Sequence, residues 1–424
     1  MTIATAPAGS ALARQFQQVR QATDRLCDPL EADDYLLQSM PSASPVKWHL
    51  AHTTWFFETF LLTPHVPDYR PFRPEFRMLF NSYYEAVGPR WPRLQRGLLA
   101  RPTVSEVVQY RATVDDQVQE LLQTIGADDL RALEPVLTLG LHHEQQHQEL
   151  ILADLKHAWA ANPCSPSYRD IPTEHGAPPA RAWLSFPERL TSIGHDGAGF
   201  AFDNESPRHR VFLQGFQIAN RLVTNGDFLA FMADGGYERP ELWLSDGWAT
   251  RQTAGWTAPL YWQQIAGAWT TATLAGERPV APAEPVCHVS FYEADAFARW
   301  AGARLPTEAE WETAVGANAI SGHFQEGGRC HPAALPSASD HGPLYQAFGD
   351  VWQWTASPYI GYPGYQPLPG ALGEYNGKFM CNQFVLRGAS CVTPRSHVRS
   401  TYRNFFPPDA RWQFTGLRLA RDLT

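Results

Sequence analysis

Residues 141–152 read LHHEQQHQELIL. The run holds neither glycine nor proline, and its leucine, glutamate and glutamine residues suit an α-helix. On a helix turning about 100° per residue, His143 and His147 point within about 40° of each other, so both imidazoles can reach one metal ion. The run sits inside a longer helical stretch, 128–160 (DDLRALEPVLTLGLHHEQQHQELILADLKHAWA). Three further stretches share the helical period: 11–38, with Leu12, Phe16, Val19, Ala22 and Leu26 in step, 45–63 (SPVKWHLAHTTWFFETFLL), and 103–125 (TVSEVVQYRATVDDQVQELLQTI). Ser44-Pro45 and Thr103 are start signals, and Glu106 completes a capping box with Thr103. Four such helices predict a bundle, in which metal sites are built from inward side chains on facing helices.

The second helix carries His49 and His52, three apart on one face. Either could complete a three-histidine face with His143 and His147. Three histidines leave coordination positions open, which suits a catalytic zinc or an oxygen-activating non-haem iron; ligand softness does not separate the two. His143-Glu144-Gln145-Gln146-His147 also spells the H-E-x-x-H of zinc metalloproteases, with Glu144 in the place of the base. The continuation QELILADLKH lacks the glycine of the metzincin third-ligand motif, and Glu149 falls about 240° round the helix from His143. A zinc hydrolase is thus the remoter alternative.

The 424 residues are too many for one ordinary core and suggest two or three domains. With 44% hydrophobic residues and 15 tryptophans the chain is globular, and a net charge of −9 with no basic run argues against a nucleic-acid partner. The N-terminal MTIATAPAGSALARQFQQVRQ lacks the apolar core of a secretory signal, and no uncharged apolar run approaches the length of a membrane span. Six scattered cysteines without C-x-x-C fit reduced thiols. The expectation is a soluble, cytoplasmic enzyme without a membrane partner.

The connection 64–102 is long and rich in proline and aromatics, which favours a functional loop. Composition then divides the chain into a bundle over 1–165, a linker over 166–185 and a second domain over 186–424. The last is α+β, with much irregular structure, strand-like runs such as RVFLQGFQI, and two clear helices near 224–233 and 291–302.

Two independent patterns then point to a family. His143-x-x-x-His147-x-Glu149, with KWHLAHTTWFFE upstream, resembles the DinB-like bundle of the ergothioneine-biosynthesis sulfoxide synthases, the EgtB family. ESPRHRVFLQGFQIANRLVTNGDFLAF, ARLPTEAEWE, GDVWQWTASPY, VLRGASCVTPRSHVRSTYRNFF and GLRLARD resemble the formylglycine-generating-enzyme domain, a C-type-lectin-like fold. Together they cover nearly the whole chain. The fold expected is an α bundle followed by an α+β lectin-like domain.

The resemblance implies an oxidoreductase: a non-haem iron(II) enzyme using dioxygen to join a thiol to C2 of the imidazole of hercynine, oxidising the sulfur to a sulfoxide. It implies His52, His143 and His147 as iron ligands, with His49 a neighbour and Glu144 no base. Gln146, about 300° from His143, can hydrogen-bond the substrate imidazole. Asn404 and Phe405 match the positions that hold the trimethylammonium group, where a ring face suits a cation without donor hydrogens. Tyr83 and Tyr84 resemble the loop tyrosines of the cysteine-using branch, where a phenol supplies a proton or hydrogen atom. Arg93 and Arg90 are candidates for a substrate carboxylate, Arg93 favoured. Phe406 stands where the γ-glutamylcysteine-using branch has an acidic residue, which favours a smaller thiol such as cysteine. Asp350 and Gln353 replace the Asn and Glu usual in the lectin-like family, which disfavours a calcium there, and Cys391 has no close cysteine partner for sulfatase maturation. Ala389 and Val392 depart from the Gly and Ala of the cysteine branch and keep open a selenoneine synthase, which couples a selenosugar to hercynine.

Overall fold

The computed structural model describes residues 8–170, 176–316, 318–335 and 343–423. Residues 1–7 of the N-terminal segment and 171–175 of the expected linker lie outside them. The chain divides into two compact units, one of Met1–Ala161 with Pro369–Tyr375, the other of Asn162–Leu368 with Asn376–Thr424. A short segment from late in the sequence therefore packs within the first unit. Among the described residues no helix is long and apolar enough to cross a membrane.

The first unit is built on helices Ala8–Cys27, Val46–Phe57, Val104–Thr124 and Ala127–Ala160. The first and second each pack against the third and fourth. The first helix ends at Cys27 and not at 38, because Pro29 has no N–H to continue the ladder and disfavours helical backbone at Asp28. A short 3-10 turn, Asp34–Leu36, follows. At the third helix the capping box forms: Thr103 Oγ1 accepts from the Glu106 N–H at 3.2 Å, and Glu106 accepts from the Thr103 N–H at 2.8 Å. Phe16, Phe57, Val107, Val114, Val118, Leu133, Leu137 and Leu152 fill the core, each contributing about 1.5–3 kcal/mol on burial. Gly140 lets the fourth helix approach the second: a Cβ there would lie 2.5 Å from the Phe57 ring and 2.8 Å from Phe56.

The second helix runs into a π turn, Glu58–Leu62, which brings the buried Glu58 under the loop that follows. Glu58 accepts from Tyr110 Oη at 2.7 Å, Tyr69 Oη at 3.0 Å and the Phe72 N–H at 2.9 Å. The long 64–102 connection is therefore ordered against the bundle, with short turns of helix at Phe76–Leu79, Glu85–Val87 and Arg93–Leu98.

The second unit holds a three-stranded sheet in the order Trp183–Phe186, Phe216–Ala219, Ala420–Asp422, all antiparallel. A four-stranded sheet runs Asn404–Phe406, Phe384–Arg387, Trp352–Pro358, Thr415–Gly416, the last pair parallel. Its helices include the two expected, Asn225–Ala233 and Phe291–Trp300, and two more, Ser245–Ala254 and Glu308–Val315. The last begins with a Thr307–Glu310 capping box legible in LPTEAEWE; its eight residues are too short for a clear apolar period. Asp350, at φ 58°, has its carboxylate taken up by the Ala333 N–H at 2.9 Å, Gln346 Nε2 at 3.0 Å and His323 Nδ1 at 3.1 Å.

Candidate metal centre

Each histidine of the face is aimed by its own surroundings. His52, on the second helix, lies between the rings of Trp48 (4.5 Å between centroids, 14° between planes) and Trp55 (5.6 Å, 17°). Its Nδ1 is 2.6 Å from the carbonyl oxygen of Phe80, in the long loop, and its buried Nε2 meets no protein partner. His143 and His147, one turn apart on the fourth helix, stand edge to face at 4.6 Å. Neither ring nitrogen of His143 has a hydrogen-bond partner. One ligand atom from each of His52, His143 and His147 lies within 4.8 Å of the others, and all three residues are buried.

Burial drives His143 down to about 3, against the pull of Glu144, and holds His52 and His147 well below the usual histidine range, with neighbouring imidazoles adding to the effect. The rings are therefore neutral near pH 7, the form that ligates a metal. Three buried imidazoles whose ligand atoms converge, with His52 Nε2 and both nitrogens of His143 lacking protein partners, fit a first-row divalent ion in a site with open positions.

Glu144 is excluded from this face. Its oxygens accept from Thr23 Oγ1 at 2.6 Å, Arg111 Nη2 at 2.7 Å and Arg20 Nη1 at 2.8 Å. Although burial opposes it, the two guanidinium groups hold the carboxyl at about 2. A carboxylate held by two guanidinium groups and a hydroxyl, with its basicity so lowered, is unsuited to act as a hydrolytic base. The face also lacks the metzincin continuation, so the protease match rests on spelling alone.

Around the face lies a shell of phenols. Asn81 accepts from the Tyr84 N–H at 3.1 Å and donates to the Tyr84 and Gly88 carbonyls, each at 3.0 Å, fixing the Tyr83-Tyr84 turn. The two tyrosine rings are 4.8 Å apart, and Tyr84 lies 5.6 Å from Trp55. Burial first, then the phenols of Tyr83 and Tyr375, pushes Tyr84 well above the ordinary tyrosine range. Tyr375, which the sequence reading missed, comes from the segment Pro369–Tyr375. Its ring is 5.6 Å from His143 and 6.1 Å from Tyr83, and its hydroxyl donates to Gln146 Oε1. Glu374 accepts from the Glu85 and Ala86 N–H groups at 3.0 and 2.9 Å, tying this segment to the tyrosine loop. No local pattern could have revealed Tyr375, because the contact joins residues more than two hundred apart.

The arginines divide. Arg90 pairs with Glu85 at 2.9 Å where both are exposed. Arg93 donates to the Ser42 carbonyl. Arg96, also missed, is buried 3.3 Å over the Trp48 ring and donates to Ser44 Oγ at 2.9 Å and Ser82 Oγ at 3.1 Å. The three-residue spacing of Arg90, Arg93 and Arg96 is its only trace in the sequence. Asn404, Phe405 and Phe406 form one strand of the second unit. Asn404 Oδ1 accepts from the Phe405 N–H at 2.9 Å, Phe405 stacks on Tyr359 at 3.9 Å, and Phe406 meets Trp412 edge to face at 5.8 Å.

Comparison with known proteins bears on the whole chain. Residues 15–151 match the DinB superfamily, and residues 189–423 match the sulfatase-modifying factor enzyme 1-like domain. A hercynine oxygenase of Mycolicibacterium smegmatis is 34% identical over 97% of this chain and 99% of its own length. One from Mycolicibacterium thermoresistibile is 33% identical over 100% of this chain and 97% of its own. The formylglycine-generating enzyme of Streptomyces coelicolor is 30% identical over 53% of this chain and 84% of its own. A DinB-like helical bundle followed by a sulfatase-modifying-factor domain, matched end to end by such relatives, places this chain in the hercynine oxygenase family, as an oxidoreductase.

Proposed function

We propose that this protein is a non-haem iron(II) enzyme that uses dioxygen to join cysteine to C2 of the imidazole of hercynine, giving hercynylcysteine sulfoxide. The observation that carries the reading is the buried face of His52, His143 and His147, whose ligand atoms converge within 4.8 Å. In the overall change, the hydrogens of C2 and of the thiol leave with one oxygen atom as water, and the other oxygen remains on sulfur. When bound, iron supplies open coordination positions for the reactants and a path for electrons to dioxygen.

The chain's own residues do the rest. Trp48 and Trp55 hold the His52 plane, and the Phe80 carbonyl holds its Nδ1 proton, leaving Nε2 to ligate. Tyr375 stands against His143, with Tyr83 and Tyr84 packed in turn behind it, and these phenols can give or take a proton there. Gln146, adjacent in sequence to His147, orients the Tyr375 hydroxyl and is placed to meet a substrate imidazole. Arg93, with Arg90 and Arg96 on the same segment, takes a substrate carboxylate. Asn404 and Phe405 take the trimethylammonium group, which needs no hydrogen-bond acceptor and is held by ring faces.

A second reading, a selenosugar in place of cysteine, rests on Ala389 and Val392, which depart from the Gly and Ala of the cysteine branch. Phe406 is packed on Trp412 where a carboxylate would bind a donor amine, and aromatic surroundings suit a neutral sugar as well as a small thiol. Oxygen uptake by iron(II)-loaded protein given hercynine with cysteine, γ-glutamylcysteine or a 1-seleno-sugar, with products identified by mass, tests both. Turnover with cysteine to a sulfoxide is expected. Activity on γ-glutamylcysteine above that on cysteine would remove the role given to Phe406, turnover with the selenosugar alone would establish the second reading, and silence with all three would overturn the iron assignment.

A further inference from the structure

The three histidines of the face differ in what stands behind them, and the difference assigns a task to His49. His52 has a backbone carbonyl behind Nδ1, and His143 has no partner at either nitrogen. Behind His147 stands a ladder. His147 Nδ1 is 2.7 Å from His49 Nδ1, His49 Nε2 is 3.2 Å from Asp154 Oδ2, and Asp154 Oδ2 also accepts from the Ser44 N–H at 2.8 Å. All three side chains are buried. Asp154 lies two helical turns after His147, within about 20° of it round the helix, so one face of the fourth helix supplies both ends of the ladder.

The protons of this ladder can be placed. For His147 to ligate through Nε2, its Nδ1 must carry the hydrogen of the 2.7 Å contact with His49 Nδ1. His49 then accepts at Nδ1 and donates from Nε2 to Asp154 Oδ2. No proton in the chain is duplicated or missing.

Resting on the metal reading above, we propose that His49 and Asp154 are positioning residues for His147: through the ladder they lock the ring in the Nε2-ligating tautomer and strengthen it as a donor. It is the carboxylate–histidine–metal arrangement of many metal sites, lengthened by one imidazole. His49, which the three-residue spacing made a rival ligand to His52, thereby acts one shell further out.

The test is metal binding by the anaerobic apo-protein, with Co(II) affinity from chelator competition, the visible spectrum of the Co(II) form, and the thermal midpoint of each apo-variant. His49→Phe is expected to weaken Co(II) binding by about 10–100-fold and Asp154→Asn by about tenfold, each with an altered Co(II) spectrum. Because Asp154 acts through His49, adding Asp154→Asn to His49→Phe should weaken binding by no more than about twofold further. His49→Gln supplies one acceptor and one donor in the same order and should return affinity to within about threefold of the parent. A merely structural role would instead make affinity follow the apo thermal midpoint, with no rescue by Gln. Parent-like Co(II) binding in both single variants, or additive losses in the double, would overturn the ladder while leaving the metal site standing. Absence of Co(II) and Fe(II) binding by the parent would overturn both.

Discussion

His143 and Glu144 are neighbours on one helix, both buried, and opposite in every other respect. Glu144 has two guanidinium groups and a hydroxyl on its oxygens; His143 has no hydrogen bond at either nitrogen. Buried polar groups are nearly always paired, so a pair of nitrogens left without partners beside two other converging imidazoles marks a place kept for a ligand. The second unit resembles the Glu144 side of the helix. Its buried arginines 387, 403 and 411 are matched by Glu312, Glu308 and Glu293, and the partly buried Arg399 by Glu205. Among the described residues, the His52–His143–His147 cluster is the one group of His, Cys, Asp and Glu arranged to hold a metal. Ion pairs hold the buried charge of the second unit, whereas at the His52–His143–His147 face imidazole nitrogens converge on one another.

Substitutions at the two neighbours should separate these roles. His143→Phe should abolish stoichiometric iron binding and turnover, while apo stability changes by less than about 1.5 kcal/mol, since the ring volume is kept and no hydrogen bond is lost. Metal analysis and urea unfolding of the apo-protein would show it. Retention of iron with full turnover would erase the distinction between the two sides of the helix.

Glu144→Gln should do the reverse, destabilising the bundle by about 3 kcal/mol by leaving two buried guanidinium groups short of charge, with unchanged metal content per folded chain. The pH dependence has a definite sign. The folded carboxyl is depressed to about 2, so its stabilisation is complete above the ordinary carboxylate pKa of about 4.5 and is lost as pH falls toward 2. Acid unfolding followed by circular dichroism should therefore lose part of its slope in the variant.

Gly140→Ala tests whether the two sides are mechanically joined. The added methyl would collide with Phe56 and Phe57, at a cost of about 1–3 kcal/mol, and should loosen metal binding because His143 begins one turn later. A stability loss with unaltered metal affinity would show the histidine face to be insulated from helix packing.

Much of the bundle was legible locally. The 3.6-residue period located four helices, and Thr103 with Glu106 marked the start of the third. The overextension of the first helix past Cys27 came from reading periodicity through Asp28-Pro29. In the second unit, Ser245–Ala254 and Glu308–Val315 escaped notice because short helices show little apolar period, although the capping box at Thr307 was there to be read. Arg96 was passed over because burial without a carboxylate partner cannot be seen in a run of exposed-looking residues.

What the sequence determined by itself is whatever depends on spacing along one element: two histidines on one face, Glu149 turned away, four amphipathic helices, and, through resemblance, the order of the two domains. Periodicity left His49 and His52 equivalent, because residues three apart on a helix share a face. Only tertiary structure distinguishes them, by setting Asp154 and His147 against the nitrogens of His49 while leaving His52 Nε2 open. Tertiary structure likewise took Glu144 out of the site by pairing it with Arg20 and Arg111, and brought Tyr375 to His143. Helical spacing constrains neighbours a few residues apart; which nitrogen keeps its lone pair is decided by partners from elements that only packing brings together.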